Sequence, residues 1–213
     1  MTLPTASEIT ALRYSNKIVR LLLQSLEEVL GRSGLNAVLN LAGMRHLVGH
    51  TPPNDLEPLF TAAEVGAVLT ALDEMYGPRA GRGLALRTGR AGFRYGLKEF
   101  GQAWNLTDMS FRLQPLGAKL RAAAEACAGV LNQHIGQGVE LSEAGGRLVW
   151  TMPACPECAG RRTLAPCCHV AVGLLQESAY WASAGKNFEV EETTCVARGD
   201  PLCTLVMDKR PLD

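Results

Sequence analysis

The order of patterns along the chain predicts an α+β fold in which an antiparallel sheet is backed by helices and preceded by an amino-terminal helical extension. Three observations carry this. Apolar residues up to position 78 recur only at helical spacing. Two hairpin signals follow, at residues 138–152 and 188–207, with one helical segment between them. Strands and helices do not alternate singly, as a parallel βαβ repeat requires. Residues 1–78 are therefore read as a helical region and residues 79–213 as the domain that carries the site.

Ser7-Glu8-Ile9-Thr10 reads as the cap of a first helix, along which Ile18, Leu21, Leu22, Leu26, Val29 and Leu30 recur until Gly31 ends it. A shorter helix from Ser33 or Gly34 carries Leu35, Val38, Leu39, Leu41 and Ala42. After the loop Thr51-Pro52-Pro53-Asn54-Asp55, Thr61-Ala62-Ala63-Glu64 is a capping box for a helix that ends at Gly77-Pro78. Six glycines between Gly81 and Gly101 would each weaken a helix by about 0.5–1 kcal/mol relative to alanine, so they need a reason. Gly81, Gly89, Gly92 and Gly96 share one face, which suits close helix packing first and a ligand-facing wall second. Pro115 opens a helix that runs to Gly136. Strands are expected at 138–142 and 147–152, joined by Glu143-Ala144-Gly145-Gly146. A cysteine-containing irregular stretch over 153–166, a helix over 167–184 and strands at 188–194 and 202–207 complete the chain.

Composition excludes several functions. The 213 residues contain 21 Lys plus Arg and 21 Asp plus Glu, so no net field draws the chain to nucleic acid or to an anionic membrane. No leader pattern and no bilayer-spanning apolar run is visible, which predicts a cytoplasmic protein. Seven cysteines in that setting point to reduced thiols and metal ligation rather than to a disulfide framework. Cys127, alone in an alanine-rich helix, reads as a core residue.

The metal candidates converge on the second hairpin. Glu192 and Cys195 close one strand, Gly199-Asp200-Pro201 turns the chain, and Cys203 opens the next strand beside Cys195. Two thiolates and a carboxylate need a cation, and zinc suits the set. Cys168, at the start of the preceding helix, is the expected fourth ligand, with Cys167 and then His169 as competitors. Four protein ligands saturate a tetrahedral zinc, so a site of Cys168, Glu192, Cys195 and Cys203 is structural and not catalytic. Cys155-Pro156-Glu157-Cys158 stays open between no special role, a second metal site, a redox dithiol and a cap on the first site.

Cys168-His169, Gly173, Gly185-Lys186 and the run from Glu192 to Cys203 resemble the 4-vinyl reductase (4VR) domain family over about 50 residues, and Gly89, Phe93 and Gly96 fit it more loosely. That family includes proteins linked to bacteriochlorophyll synthesis and the sensor domains of phenol-responsive bacterial regulators. The resemblance implies a vesicle-tethering-subunit-like fold with an apolar cavity and a Cys-Glu-Cys-Cys zinc site, here Cys168, Glu192, Cys195 and Cys203. The spacing from Cys168 to Cys195 is one residue longer than the family pattern, within Ser183-Ala184-Gly185, and Cys155 and Cys158 are not part of it.

Two functions follow. The first is a non-enzymatic sensor module that binds a small hydrophobic or aromatic ligand, with Phe93, Phe100, Trp104, Trp150 and Tyr180 as candidate contacts. Its signal is expected to reach another chain through a homodimer built on the broad apolar faces of the amino-terminal helices. The alternative is an enzyme or accessory protein handling a tetrapyrrole. No dinucleotide fingerprint follows a strand and no catalytic triad spacing stands out, so a vinyl reduction would need its electrons from elsewhere.

Overall fold

The computed structural model describes residues 3–102, 106 and 108–212. Helix α1 (Ala6–Ala11) starts from a capping box between Thr5 and Glu8, two residues before the expected cap. It does not continue into the next helix as the apolar spacing suggested. Leu12 leaves the helical region, and Arg13–Tyr14 (β1) pairs antiparallel with Phe60–Thr61 (β2), which gives that backbone other partners.

Helix α2 (Asn16–Leu41) and helix α3 (Ala62–Phe100) form an antiparallel-connected pair bent at Gly31 and Gly77, where φ is 70° and 77°. Both breaks were legible, but helix resumes directly beyond each. The boundary expected at 78/79 falls at the Gly77 bend, and α3 runs across it. Val19, Leu26, Val38 and Leu39 of α2 pack with Val65, Val68 and Leu72 of α3 in one core. Much of the apolar face of α2 is thus buried within this chain, while Leu41 is exposed.

Helix α4 (Met109–Arg112) is a single turn, and α5 (Leu116–Ile135) runs from Pro115 to a left-handed cap at Gly136. Strands β3 (Glu140–Ala144), β4 (Arg147–Met152), β5 (Val190–Thr194) and β6 (Cys203–Asp208) form a four-stranded sheet in the order β3-β4-β6-β5, every neighbour antiparallel. Leu148, Trp150 and Met152 alternate with more open residues along β4, as do Cys203, Leu205 and Met207 along β6. That face packs under α5 and α6 (His169–Ala182) in a second core. In the turn after α6, Ala184 and Gly185 take positive φ. Among the described residues no helix is long and apolar enough to cross a membrane.

The glycine-rich half of α3 is explained by close approach. A β-carbon at Gly89 would overlap the Val170 carbonyl of α6, and one at Gly173 of α6 would overlap the Leu86 carbonyl of α3. Further along, Gly66 meets the Ala159 carbonyl, just after Cys158. The α3 backbone therefore seats both α6 and the loop between β4 and α6 without a side chain between them.

Candidate functional site

Six of the seven cysteines converge. Cys155 precedes and Cys158 ends a 3-10 turn, Pro156–Cys158, that follows β4; Cys167 and Cys168 immediately precede α6; Cys195 directly follows β5; and Cys203 opens β6. The Met152–Cys203 pairing of β4 and β6 brings the loop carrying Cys155 to the same end of the sheet. Glu192 and Cys195 lie an odd number of residues apart, which regular strand alternation would send to opposite faces. A β-bulge between Glu192 and Thr194 resets the register, and both side chains are buried.

All six thiols are free, and all are buried. The Sγ of Cys168 lies 3.3 Å from Cys155, 3.5 Å from Cys158 and 3.6 Å from Cys203. Cys158 lies 3.5 Å from both Cys195 and Cys203, and Cys167 is 3.8 Å from Cys195. Among the described residues three sets of four donors have all ligand atoms within 4.8 Å of one another. They are Cys155, Cys158, Cys168 and Cys203; Cys158, Cys167, Cys168 and Cys195; and Cys168, Glu192, Cys195 and Cys203. The third is the set chosen from sequence. Cys167 belongs to another set, and His169 to none of them. Burial, with Arg82 and Arg161 nearby, depresses the His169 pKa to about 4.

The electrostatics are those of crowded soft donors. Contact with Cys158 is the largest cause pushing the Cys155 thiol up to about 12. Neighbouring thiols, Cys155 foremost, also hold Cys168 well above its ordinary value. Cys195 is lowered because the thiols of Cys158, Cys167, Cys168 and Cys203 surround it as donors. The Val196 amide donates to Cys203 Sγ at 3.2 Å. Burial raises Glu192 to about 8, although Cys168 N–H donates to its Oε2 at 2.7 Å; its buried Oε1 has no hydrogen-bond partner. A buried group of thiols this close could hold a metal ion, which would draw off their protons.

Glu157, between the two cysteines of the loop, caps α6. Its carboxylate accepts from the Val170 and Ala171 amides at 3.0 and 2.7 Å, and burial still raises it to about 7. The other side of this carboxyl borders a cavity of about 140 Å³ between α2, α3, α5 and α6. Ile18, Leu21, Leu22, Phe93, Phe100, Val130 and Leu174 form much of its wall, with Gly89, Gly92 and Gly96 of α3. Close helix packing, the first reading of the glycine face, holds at Gly89, while Gly92 and Gly96 stand at the cavity wall. Polar groups at the wall are few: Tyr14, Ser25, Thr88, Gln137 and Glu157. Gln137 is only 5% exposed, and its Oε1 has no hydrogen-bond partner.

Of the aromatic contacts expected from sequence, Phe93 and Phe100 line this cavity. Trp150 and Tyr180 do not. Trp150, 2% exposed, sits on the covered face of β4 within the sheet core, and Tyr180 is 44% exposed on the outer side of α6 beside fully buried Ala179. Trp104 lies outside the described residues. Sequence reasoning missed Gln137; its signal was an amide between Gly136 and Gly138 where a helix hands over to a strand.

No protein-family model matches the chain, and no curated protein matches it. Solved structures do. An H-NOX domain in which the function of heme distortion was probed aligns with a TM-score of 0.58 at 16% identity, covering 93% of this chain and 97% of that one. An H-NOX protein from S. oneidensis in the Fe(II)NO ligation state aligns at 0.52 and 13%, covering 91% and 99%. The phenol-responsive sensory domain of the transcription activator PoxR, solved with phenol, gives 0.48 and 21% over 70% of this chain and 74% of that domain. The fold is thus α+β of the H-NOX kind. At these identities the likeness extends to the fold alone.

Proposed function

We propose that this chain is a small-molecule sensor module whose cavity takes a single-ring hydrophobic or aromatic ligand and whose thiol cluster holds structural zinc. The observation that carries the reading is the cavity with its one orphaned amide. Apolar cavities of about 150 Å³ stay dry and accept a molecule the size of benzene. A volume of about 140 Å³ walled by leucine, isoleucine, valine and phenylalanine meets that description. Gln137 stands at the wall with an Oε1 that has no hydrogen-bond partner and is shielded from the cavity as the side chain stands, so a turn of its amide would offer a ligand hydroxyl or amine an acceptor. Zinc is supported by the buried sulfurs and by Glu192, in a set that resembles the 4VR pattern of Cys168, Glu192, Cys195 and Cys203. Saturated by protein donors, the metal pins the loop, α6 and the β5–β6 connection and takes no part in turnover.

Heme, which the structural neighbours bring to mind, does not fit these residues. The cavity has room for one ring, not for a porphyrin, and no histidine lines it. His134 stacks on the Phe100 ring at 5.5 Å between centroids instead. The one soft donor on the wall, Cys127, is a buried thiol pushed up to about 12 and stays protonated near neutrality. The same volume argues against a tetrapyrrole substrate.

Calorimetric titration of the full chain with phenol, toluene and a free-base porphyrin tests this. Saturable binding of the two small rings at one site per chain, phenol the tighter, is expected. Porphyrin binding with no small-ring binding would overturn the reading.

A further inference from the structure

The cluster holds more donors than one metal can use. A tetrahedral zinc with four thiolates at about 2.3 Å places neighbouring sulfurs about 3.8 Å apart. The contacts among Cys155, Cys158, Cys167, Cys168, Cys195 and Cys203 run from 3.3 to 3.8 Å, which is that edge length or slightly less. A mononuclear site of Cys168, Glu192, Cys195 and Cys203 would leave Cys155, Cys158 and Cys167 as spectators inside the same packed group.

The two all-sulfur sets have a specific relation. One is Cys155, Cys158, Cys168 and Cys203, and the other is Cys158, Cys167, Cys168 and Cys195. They share Cys158 and Cys168, and together they use all six thiols once the shared pair is counted for both. Two tetrahedra joined along one edge have this connectivity, and the shared edge, Cys158 to Cys168, measures 3.5 Å. We propose that the cluster is a binuclear centre for two soft divalent cations such as zinc. Cys158 and Cys168 bridge the pair, Cys155 and Cys203 complete one metal, and Cys167 and Cys195 complete the other.

Loading is an exchange without redox change: two divalent cations displace six thiol protons and leave a centre of net charge −2. The surroundings suit a residual negative charge. The Val196 amide donates to Cys203 Sγ, and the Arg161 guanidinium, hydrogen-bonded to the Glu157 carbonyl and to Asp73, acts on Cys167 and Cys158. Glu192 then supports the centre from outside, holding the Cys168 amide through Oε2. An iron–sulfur cluster is a poorer match, because inorganic sulfide would hold the cysteine sulfurs farther apart than they lie here.

This inference rests on the metal-binding reading above, and the test separates the two. Native mass spectrometry of the zinc-loaded full chain should show a gain of two zinc with a loss of six protons. One zinc per chain overturns the binuclear centre and leaves the single structural zinc standing; no zinc overturns both. Cys155→Ser and Cys167→Ser should each reduce the count from two to one, whereas Glu192→Gln should keep two, since the amide oxygen still accepts from Cys168 N–H. The opposite pattern, zinc lost in Glu192→Gln and unchanged in both serine variants, assigns the carboxylate set instead. The wild-type chain loaded with cadmium-113 gives a reading free of folding defects: two coupled resonances are expected, and a single resonance overturns the proposal.

Discussion

The thiol cluster and the apolar cavity lie on opposite sides of Glu157, and they depart from ordinary core packing in opposite directions. At the cluster, six sulfurs and a carboxylate crowd one point. At the cavity, side chains stop short of each other where α3 offers glycine at 92 and 96. Close-packed interiors tolerate neither excess donors nor missing atoms without a guest. The difference predicts the guest: charge and directed bonds on one side, shape and little else on the other. It also predicts that the two guests contribute unequally to stability.

The largest effect should come from stripping the metal. A strong chelator is expected to lower the melting temperature by about 10–20 °C, as a loss of roughly 5 kcal/mol would at 2–4 °C per kcal/mol in a chain of this size. If differential scanning calorimetry finds no shift, the cluster is ordinary core and the contrast collapses. Next is Gly89→Ala, which forces a β-carbon into the Val170 carbonyl and should cost about 1–3 kcal/mol in urea unfolding. An unchanged midpoint would show that α6 is not seated as described.

Gln137→Leu sharpens the cavity side. It should weaken phenol by about 1 kcal/mol, roughly fivefold, and leave toluene unchanged, because only phenol can donate to Oε1. Equal losses for both ligands would mean that Gln137 shapes the wall and recognises nothing. Gly92→Ala should act oppositely to Gly89→Ala. Its β-carbon would lie 3.6 Å from Ser25 Oγ, an ordinary contact, so the better helix former should stabilise by about 0.5–1 kcal/mol while weakening both ligands.

The smallest effect is a pH dependence at His134, whose pKa is held below its ordinary 6.5 by burial and then by Lys17. Below pH 6.5 the unfolded chain binds more protons there than the folded one, so this contribution is complete above 6.5 and declines as pH falls through the folded value. His134→Gln should flatten that part of the stability profile, and an identical slope in the variant would assign it elsewhere.

What the sequence revealed follows from the range of each interaction. Glu192, Cys195 and Cys203 were legible because a turn of a few residues joins them, and Cys168 because one helix returns the chain to its starting end. That Cys155 and Cys158 enter the same group was one of the readings the sequence left open, and local spacing did not decide it. It depends on the Met152–Cys203 register and on Gly66 meeting the Ala159 carbonyl, both contacts between distant segments. Helical periodicity in α6 did not separate Tyr180 from Ala179, one residue apart and on opposite sides. The pairing of β1 with β2 was invisible because two-residue strands carry no alternation. Four antiparallel strands under helices, by contrast, follow from the turn signals and patterns that predicted them.

The backbone seats along α3 set the tolerance of the thiol cluster. Side chains between two elements act as compressible spacers, since each can change rotamer. At Gly66 and Gly89 there is no spacer, so the loop bearing Cys155 and Cys158 and the helix that follows Cys168 are each seated directly on a limb of α3, a rod that bends at Gly77 between the two seats. A slip of one residue along that rod would be about 1.5 Å, more than half the length of a zinc–sulfur bond of about 2.3 Å. The thiols therefore take their places from backbone seated on backbone, and α3, which carries none of them, sets where the loop and α6 can lie.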